Sequence, residues 1–505
     1  MNGLQIALST IFASPAVFYA FGGVAWGIIG GALPGLSASI TMALLLPLTF
    51  GMDPTMAIIL LASTYVGAEY GGSIPAILIR TPGTSAAITT AIDGYEMHKQ
   101  GKTGEALGIS LMAGVIGGLI GMIFVVVLTE PLSLIALYFT APAYFALGVF
   151  GLSLIATLSD GSLIKGFLAA ILGLAISTIG IDTISGIQRF TFGSVELLGG
   201  IEAIFVLIGM FAMTELFVQT SEPEWDKAER HLRIKLPNWK TFKRITPATL
   251  IGTTLGTIDG VTPGGGSTLA SFLSYNEAKR WSKHPEEFGK GSPEGVAAPE
   301  AANNTVAATA LIPTLTFGIP SSGSTAVLLG GLILHGIEPG PALLEKNPVF
   351  IYGLFGGLFI ANLSQLLLGF LMLPPCIWLV NRPKAFLSAF IIALVSSGVY
   401  SVNQNVFDLL IMIGMGVLGY VMRLLRFPIL PLVLALVLGS LVERNYRRAV
   451  DLSYGSHSIF WDDKLAASLL GLTALFVLLT ALFSLRRSRR DRAAARAAAA
   501  TSSTA

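Results

Sequence analysis

Two stretches repeat a spacing of residues that break helices and bare the backbone. They are "IPAILIRTPGTSAA", with Pro75 and Pro82, and "IPTLTFGIPSSGSTA", with Pro313 and Pro320. Small polar residues follow each second proline: Gly83, Thr84 and Ser85 in one case, Ser321, Ser322, Gly323 and Ser324 in the other. A second pair lies upstream, "GALPGLSAS" with Pro34, Gly35 and Ser37, and "GVTPGGGSTLAS" with Pro263, Gly264, Gly265 and Ser267. From Pro34 to Pro75 is 41 residues and from Pro263 to Pro313 is 50, so the chain reads as a duplication with extra length in its second copy. Proline removes a backbone donor, crowds the preceding turn and suits the start of a new helix, while glycine lets the chain turn and exposes amides. In an apolar setting the freed groups are tolerated only where protein or a water-filled cavity meets them. Released helix N-termini hold a carboxylate or a phosphate, and freed carbonyls with Ser/Thr hydroxyls coordinate a cation. The competing reading is ordinary kinking and small-residue packing, which membrane helices use freely. Four motifs in two matched pairs favour a binding site.

Composition sets the elements that must position these motifs. Of 505 residues, 53% are hydrophobic and 12% charged; a soluble domain carries roughly 25% charged residues, so this is an integral membrane protein. Apolar runs lie near 14–33, 40–61, 105–129, 132–158, 162–181, 197–219, 349–373, 385–400, 406–425, 427–442 and 464–485. With the two broken regions they give about 12 transmembrane helices at roughly 20 residues each. The runs lack the roughly 10-residue alternation of a membrane barrel, so the expected fold is all-α and polytopic. The first 15 residues hold no Lys or Arg, which predicts a retained N-terminus rather than a cleaved leader. Cys376 is the single cysteine and makes neither an internal disulfide nor a thiol-based metal site.

Charge orients the two copies. Between its motifs the first copy has the turn "GMDPT", free of Lys and Arg, whereas the second has a loop with Lys279, Arg280, Lys283 and Lys290. Beyond the second motif the bias reverses: "DGYEMHKQGKTGE" carries Lys99 and Lys102, and "HGIEPGPALLEKN" only Lys346. Corresponding loops then lie on opposite sides, which predicts two inverted-topology repeats with broken helices or re-entrant hairpins at the midplane. The division is 1–220 for the first repeat, 221–244 for a cytoplasmic linker, 245–463 for the second repeat and 464–486 for a final transmembrane helix. A basic tail, 487–505, opens near "RRSRRDR" and predicts a cytoplasmic, disordered C-terminus.

Residues 31–110, from "GALPGLSASITM" to "GKTGEALGIS", and 289–331, from "GKGSPEGVAAPEAANN" to "STAVLLGG", closely resemble the signature regions of TctA. TctA is the large membrane subunit of tripartite tricarboxylate transporters. The resemblance implies a bacterial inner-membrane carrier that works with a small four-span TctB-like subunit and a periplasmic, TctC-like solute-binding protein. It implies uptake of a small organic carboxylate of the di- or tricarboxylate class, driven by a sodium or proton gradient, with no cofactor. No "GxxxxGK[ST]" phosphate loop is present. Carried over residue by residue, the resemblance makes Pro34, Gly35, Ser37, Pro82, Gly83, Thr84, Ser85, Gly264, Gly265, Ser267, Pro320, Ser321, Ser322 and Gly323 substrate-site candidates. Asn303 and Asn304, from "PEAANN", join them, with Glu300 and Asn303 as ion-coupling candidates and a sodium ion placed near Gly35, Ser37, Gly265 and Ser267. Helix capping or interhelical bonding is the alternative for the asparagines, and a favourable place at a helix start is the alternative for Glu300.

The sequence departs from the family's pattern at Glu69, Arg80, Ser85 and Asp259. Ionisable groups at membrane depth are costly, which makes Glu69 and Asp259 further coupling candidates and Arg80 a candidate clamp for a substrate carboxylate. Glu69 and Arg80 either form a substrate clamp with its brace, form a purely structural ion pair, or are unrelated. A passive channel, or a carrier for another small anion, stays as the alternative function. An intramembrane enzyme is disfavoured, because the sequence has no "HExxH", no paired "GxGD" aspartates and no Cys/His pair.

Overall fold

A computed structural model describes residues 3–13, 15–158, 162–182, 185–220, 232–262 and 264–482. Pro263, residues 221–231 of the polar linker and the basic tail after 482 lie outside the described residues. The described residues are mostly helical with almost no sheet, as an apolar backbone away from water must be to satisfy its own hydrogen bonds. Among the described residues five helices are long and apolar enough to cross a membrane unaided: Thr103–Ala136, Pro348–Val380, Ala385–Asn403, Val406–Leu424 and Lys464–Leu482.

The helices form two compact units, each drawing on both halves of the chain. The larger spans 1–138 and 176–425, the smaller 139–175 and 426–505. In chain order the larger begins α1 (Gly3–Ala13), α2 (Ala16–Gly31), α3 (Ala38–Leu45), α4 (Pro54–Gly71), α5 (Ser73–Ile79), α6 (Ala87–Lys99) and α7 (Thr103–Ala136). The smaller holds α8 (Ala141–Leu158) and most of α9 (Leu163–Ser177). The larger resumes with α10 (Ala203–Ile208), α11 (Thr214–Gln219), α12 (Trp239–Val261), α13 (Gly266–Trp281), α14 (Pro293–Thr309), α15 (Leu311–Phe317) and α16 (Gly323–Leu334). It closes with α17 (Leu343–Lys346), α18 (Pro348–Val380), α19 (Lys384–Asn403) and α20 (Val406–Leu424). The smaller closes with α21 (Leu430–Leu452), α22 (Ile459–Asp462) and α23 (Lys464–Leu482).

A stripe of small residues lets α2 sit against α4. Added Cβ atoms at Gly23, Gly27 and Gly31 would stand 2.4, 2.3 and 2.2 Å from the carbonyl oxygens of Leu60, Thr64 and Ala68. The same four-residue stripe recurs on α12, where Gly252 and Gly256 press on the carbonyls of Ala298 and Ala302 in α14 and Gly260 on the Thr309 hydroxyl. Helices without a hydrophobic drive between them associate by such close backbone packing. Helix α7 lies along α14 and α12, and Gly117 would place a Cβ 2.4 Å from the Ala301 carbonyl. Helix α18 packs on α2 and α4. In the smaller unit α21 packs on α8 and α22, with Phe145, Tyr446 and Phe460 in ring contact.

Several boundaries differ from the apolar runs. The run 40–61 is two helices, because Pro47 and Gly51 turn the chain and Asp53 caps α4 by accepting from the Met56 amide at 3.1 Å. The run near 132–158 is divided: α7 continues through Pro131 to Ala136, and α8 starts at Ala141. After α9 the run 162–181 ends in a short antiparallel pairing, Gly180 with Arg189 and Ile181 with Gln188. The run 197–219 begins as loop and is interrupted at Gly209–Met213 by a π turn. Helix α12 already starts at Trp239, inside the stretch read as linker.

Candidate functional site

The two Pro-x6-Pro segments fold alike. Each is a seven-residue helix, α5 or α15, with its first proline inside and its end in the left-handed region: Arg80 at φ 56° and Gly318 at φ 70°. Thr81 N–H then returns to the Pro75 carbonyl at 3.4 Å and Ile319 N–H to that of Pro313 at 3.3 Å. Glycine takes this conformation freely, as at a helix C-terminus. Arginine pays for it, and such strain gathers at functional sites.

Beyond these ends the motifs cross between copies. The Ser39 and Ser324 hydroxyls stand 3.1 Å apart, joining the first motif of one copy to the second motif of the other. Thr268 donates to Ser85 at 2.8 Å and makes the reciprocal join. Within each copy the two breaks also touch: Gly264 N–H donates to the Ser321 carbonyl at 3.1 Å, and a Cβ on Gly83 would lie 1.8 Å from the Gly31 carbonyl. Ser322 caps α16, its hydroxyl accepting from the Thr325 amide at 3.3 Å. Pro34 and Gly35 are braced by α11, where Gln219 donates to the Pro34 carbonyl at 3.4 Å and Glu215 pairs with Arg423 at 2.7 Å.

At this crossing lie buried polar atoms with no hydrogen-bond partner: Tyr65 OH, Glu69 Oε2, Thr84 Oγ1, Asp259 Oδ2, Asn303 Oδ1 and Ser321 Oγ. Glu69 and Asp259 are 3% and 7% exposed, so neither carboxylate is paid for by water. Ser267 donates to Glu69 Oε1 at 3.2 Å, and the Asn303 amide donates to the Glu69 carbonyl at 3.3 Å. Asp259 closes on the neighbouring turn, since a Cβ on Gly265 would fall 2.0 Å from its Oδ1. Gly264, Gly265 and Ser267 are half-buried while Ser85 is exposed, so the cluster lies near accessible surface. Buried polar atoms are nearly always satisfied, and this group of unpartnered atoms lies beside two helix breaks.

Other sequence-named residues lie apart. Arg80 is exposed, with its guanidinium 5.8 Å from the Tyr95 ring centroid, and makes no ion pair with Glu69 among the described residues. Glu300 is fully buried in the middle of α14, not at a helix start. It accepts from Thr90 and, at 3.0 Å, from Ser110, whose hydroxyl meets that of Ser73 at 2.7 Å. Asn304 bonds within α14 to the Glu300 carbonyl at 3.0 Å and accepts from Gln365 at 3.2 Å, an interhelical role.

Reading the sequence missed Tyr65, Asp93 and Glu215. Asp93 Oδ1 accepts from the amides of Gly289, Gly291 and Ser292 at 2.8–2.9 Å, and Oδ2 from Tyr275 OH at 2.8 Å, pinning α6 to the loop before α14. Its partners are remote in sequence and no local pattern announces them. Glu215 and Arg423 had a usable signal, opposite charges within separate apolar runs.

A model of the Tripartite tricarboxylate transporter TctA family matches residues 17–434. The chain belongs to this family. It is 38% identical over 497 residues, 97% of itself and 98% of its relative, to an uncharacterized 52.8 kDa protein in the TAR-I ttuC' 3' region of Agrobacterium vitis. It is 42% identical over 236 residues, 47% of itself and 97% of the relative, to an uncharacterized protein in the TAR-II ttuC' 3' region of the same organism. No solved structure matches. Family membership and the apolar helices make this TctA-family chain a multi-pass membrane protein of a transporter family.

Proposed function

We propose that this TctA-family chain carries a small organic carboxylate, of the di- or tricarboxylate class, across the bacterial inner membrane by alternating access, driven by a sodium or proton gradient. The observation that carries the reading is the crossing of the two broken segments, where buried polar atoms stand without partners beside Ser39–Ser324 and Ser85–Thr268. Reciprocal joins of this kind support two inverted repeats of about a dozen spans with the site between them. Gly83, Thr84 and Ser85 with Gly264, Gly265 and Ser267 form one side of the proposed site, and Ser321, Ser322 and Gly323 with Pro34 and Ser37 the other. A TctC-like periplasmic protein delivers the solute and a TctB-like four-span subunit completes the complex. The C-terminus is cytoplasmic.

The test is uptake of labelled di- and tricarboxylates by cells holding all three subunits, with the sodium and proton gradients collapsed separately. Loss of accumulation with one gradient supports the carrier. Equilibration that ignores both gradients refutes it in favour of a passive channel.

A further inference from the structure

Helices α12 and α13 pack together as a hairpin whose outer side the proposed site does not use. On α12 the exposed residues Trp239, Lys243, Pro247, Leu250, Thr254 and Ile258 recur every three or four positions and so share one face. On α13 Leu269, Phe272, Leu273, Asn276, Lys279 and Arg280 do the same. Toward the turn that joins the helices this side is apolar, with Leu250, Ile258 and Leu273 51%, 61% and 44% exposed. Toward the open end it becomes aromatic and then basic. Trp239 and Trp281 are 68% and 72% exposed; Trp239 stacks on Phe242 with ring centroids 5.7 Å apart, and the Lys243 ammonium stands 5.1 Å from its ring. Arg244 of α12 and Ser282 just beyond α13 both donate to Glu294 Oε2, at 3.0 and 2.9 Å, which ties the two basic ends side by side. Glu277, Glu287 and Glu294 are engaged by Arg280, Trp281 and Arg244. The exposed Lys240, Lys243, Lys279 and Lys283 make no ion pair among the described residues, and the remaining acid of the loop, Glu286, lies 3.7 Å from His284. An apolar face, then tryptophan, then lysine is the order of a membrane read from its core outward.

We infer that the open end of this hairpin, Trp239 to Lys243 and Lys279 to Lys283, is a docking surface for the headgroups of anionic phospholipids, whose acyl chains lie along Leu250, Ile258, Phe272 and Leu273. Charge selects the occupant: ammonium groups without carboxylate partners attract phosphate, and the apolar face below them needs a ligand that also brings hydrocarbon. The indoles of Trp239 and Trp281 suit the level between the two, where one edge is wet and the ring is not. The surface also bears on the break. The opposite side of α12 holds Gly252 and Gly256 against α14, and the turn between α12 and α13 carries Gly264 and Gly265, with Ser267 following at the start of α13. Lipid held at the open end therefore fixes the depth of that turn in the membrane. None of this depends on which solute is carried or on how its transport is driven.

The experiment uses the full chain, purified in detergent, with its unfolding temperature followed as phosphatidylglycerol or phosphatidylcholine is added. A lipid that binds only the folded state raises that temperature with concentration. Phosphatidylglycerol should act at concentrations about tenfold or more below those of phosphatidylcholine, and high salt should narrow the difference. Glycerol phosphate, which has the charge without the chains, should not reproduce the effect. Lys240→Gln, Lys243→Gln, Lys279→Gln and Lys283→Gln should each raise the half-saturating concentration up to about fivefold, the worth of one basic residue at an anionic surface. Lys346→Gln, in α17 and away from the hairpin, should leave the curve in place. In native membranes a benzophenone side chain in place of Phe272 should couple to lipid. An equal response to the two lipids, or lysine variants that keep the wild-type curve, would overturn the surface. Coupling of the Phe272 probe to a protein would overturn it too and give this face to a partner subunit.

Discussion

Gly83→Ala tests the crossing most directly. Its added Cβ would stand 1.8 Å from the Gly31 carbonyl oxygen and 2.9 Å from Gly72 Cα, while real Cβ atoms keep at least 3.0 Å. Both neighbours are backbone, so no side chain can swing away, and the two breaks of the first copy must separate by more than an ångström. Overpacking a tight site costs about 3 kcal/mol at its upper end, about a hundredfold in the folded-to-unfolded ratio. The move would also pull Gly83 N–H from the Gly72 carbonyl, now 3.1 Å away, and Ser85 from Thr268. The expected outcome is a lower unfolding temperature in detergent and loss of uptake in the membrane fraction that remains. Gly414→Ala is the control: nothing lies within 4 Å of its Cβ position in α20, and exchanging helical glycine for alanine should gain up to about 1 kcal/mol. If Gly83→Ala matches wild type in unfolding temperature and uptake, the close approach of the breaks is wrong.

Further outcomes are specific to single groups. Arg80→Gly should raise stability by about 1 kcal/mol, since glycine is at ease at the left-handed position that Gly318 holds in the other copy; it should also raise the apparent KM if the guanidinium meets substrate, whereas an unchanged KM removes that role. Asp93→Ala should strip the acceptor from three amides and Tyr275, costing about 3 kcal/mol or more in total, and hydrogen exchange at 289–292 should rise by orders of magnitude; unchanged protection would refute the latch. Asn303→Ala should impair uptake without loss of membrane insertion, while Asn304→Ala should act mainly on stability by stranding Gln365. Normal kinetics in Asn303→Ala would dismiss its place in the site. Cysteine at Asp53 should react from the periplasm and at Lys283 from the cytoplasm, and labelling from one side alone would sink the inverted arrangement.

What the sequence made legible follows from how local the information was. The helix breaks were readable because proline and glycine act on their own backbone, and both motif pairs sit at helix ends as their chemistry requires. The all-helical fold was readable from apolar runs for the same reason. The division of 40–61 was readable in the turn "GMDPT", whose Gly51, Asp53 and Pro54 fall inside that apolar run and precede α4. Glu69 stood out as an acid in an apolar setting, but its distance from Arg80 did not, since Arg80 turns out at the left-handed end of α5. The cage around Glu300 and the latch on Asp93 were illegible: each joins residues 182 to 210 positions apart, and each partner is an ordinary Ser, Thr, Tyr or Gly.

The packing of α7 on α14 sets an order of events during synthesis. Between the end of one at Ala136 and the start of the other at Pro293 the ribosome must add about 160 residues, which at roughly 5–20 residues per second takes about 10–30 seconds. Through that interval α7 lacks α14, the helix against which its small-residue face, Gly114, Gly117 and Gly121, finally packs. The hydroxyls of Thr90 and Ser110 are therefore made long before Glu300, the acid they will serve. Donors are waiting when the carboxyl arrives, so the buried acid of α14 packs against groups ready to receive it.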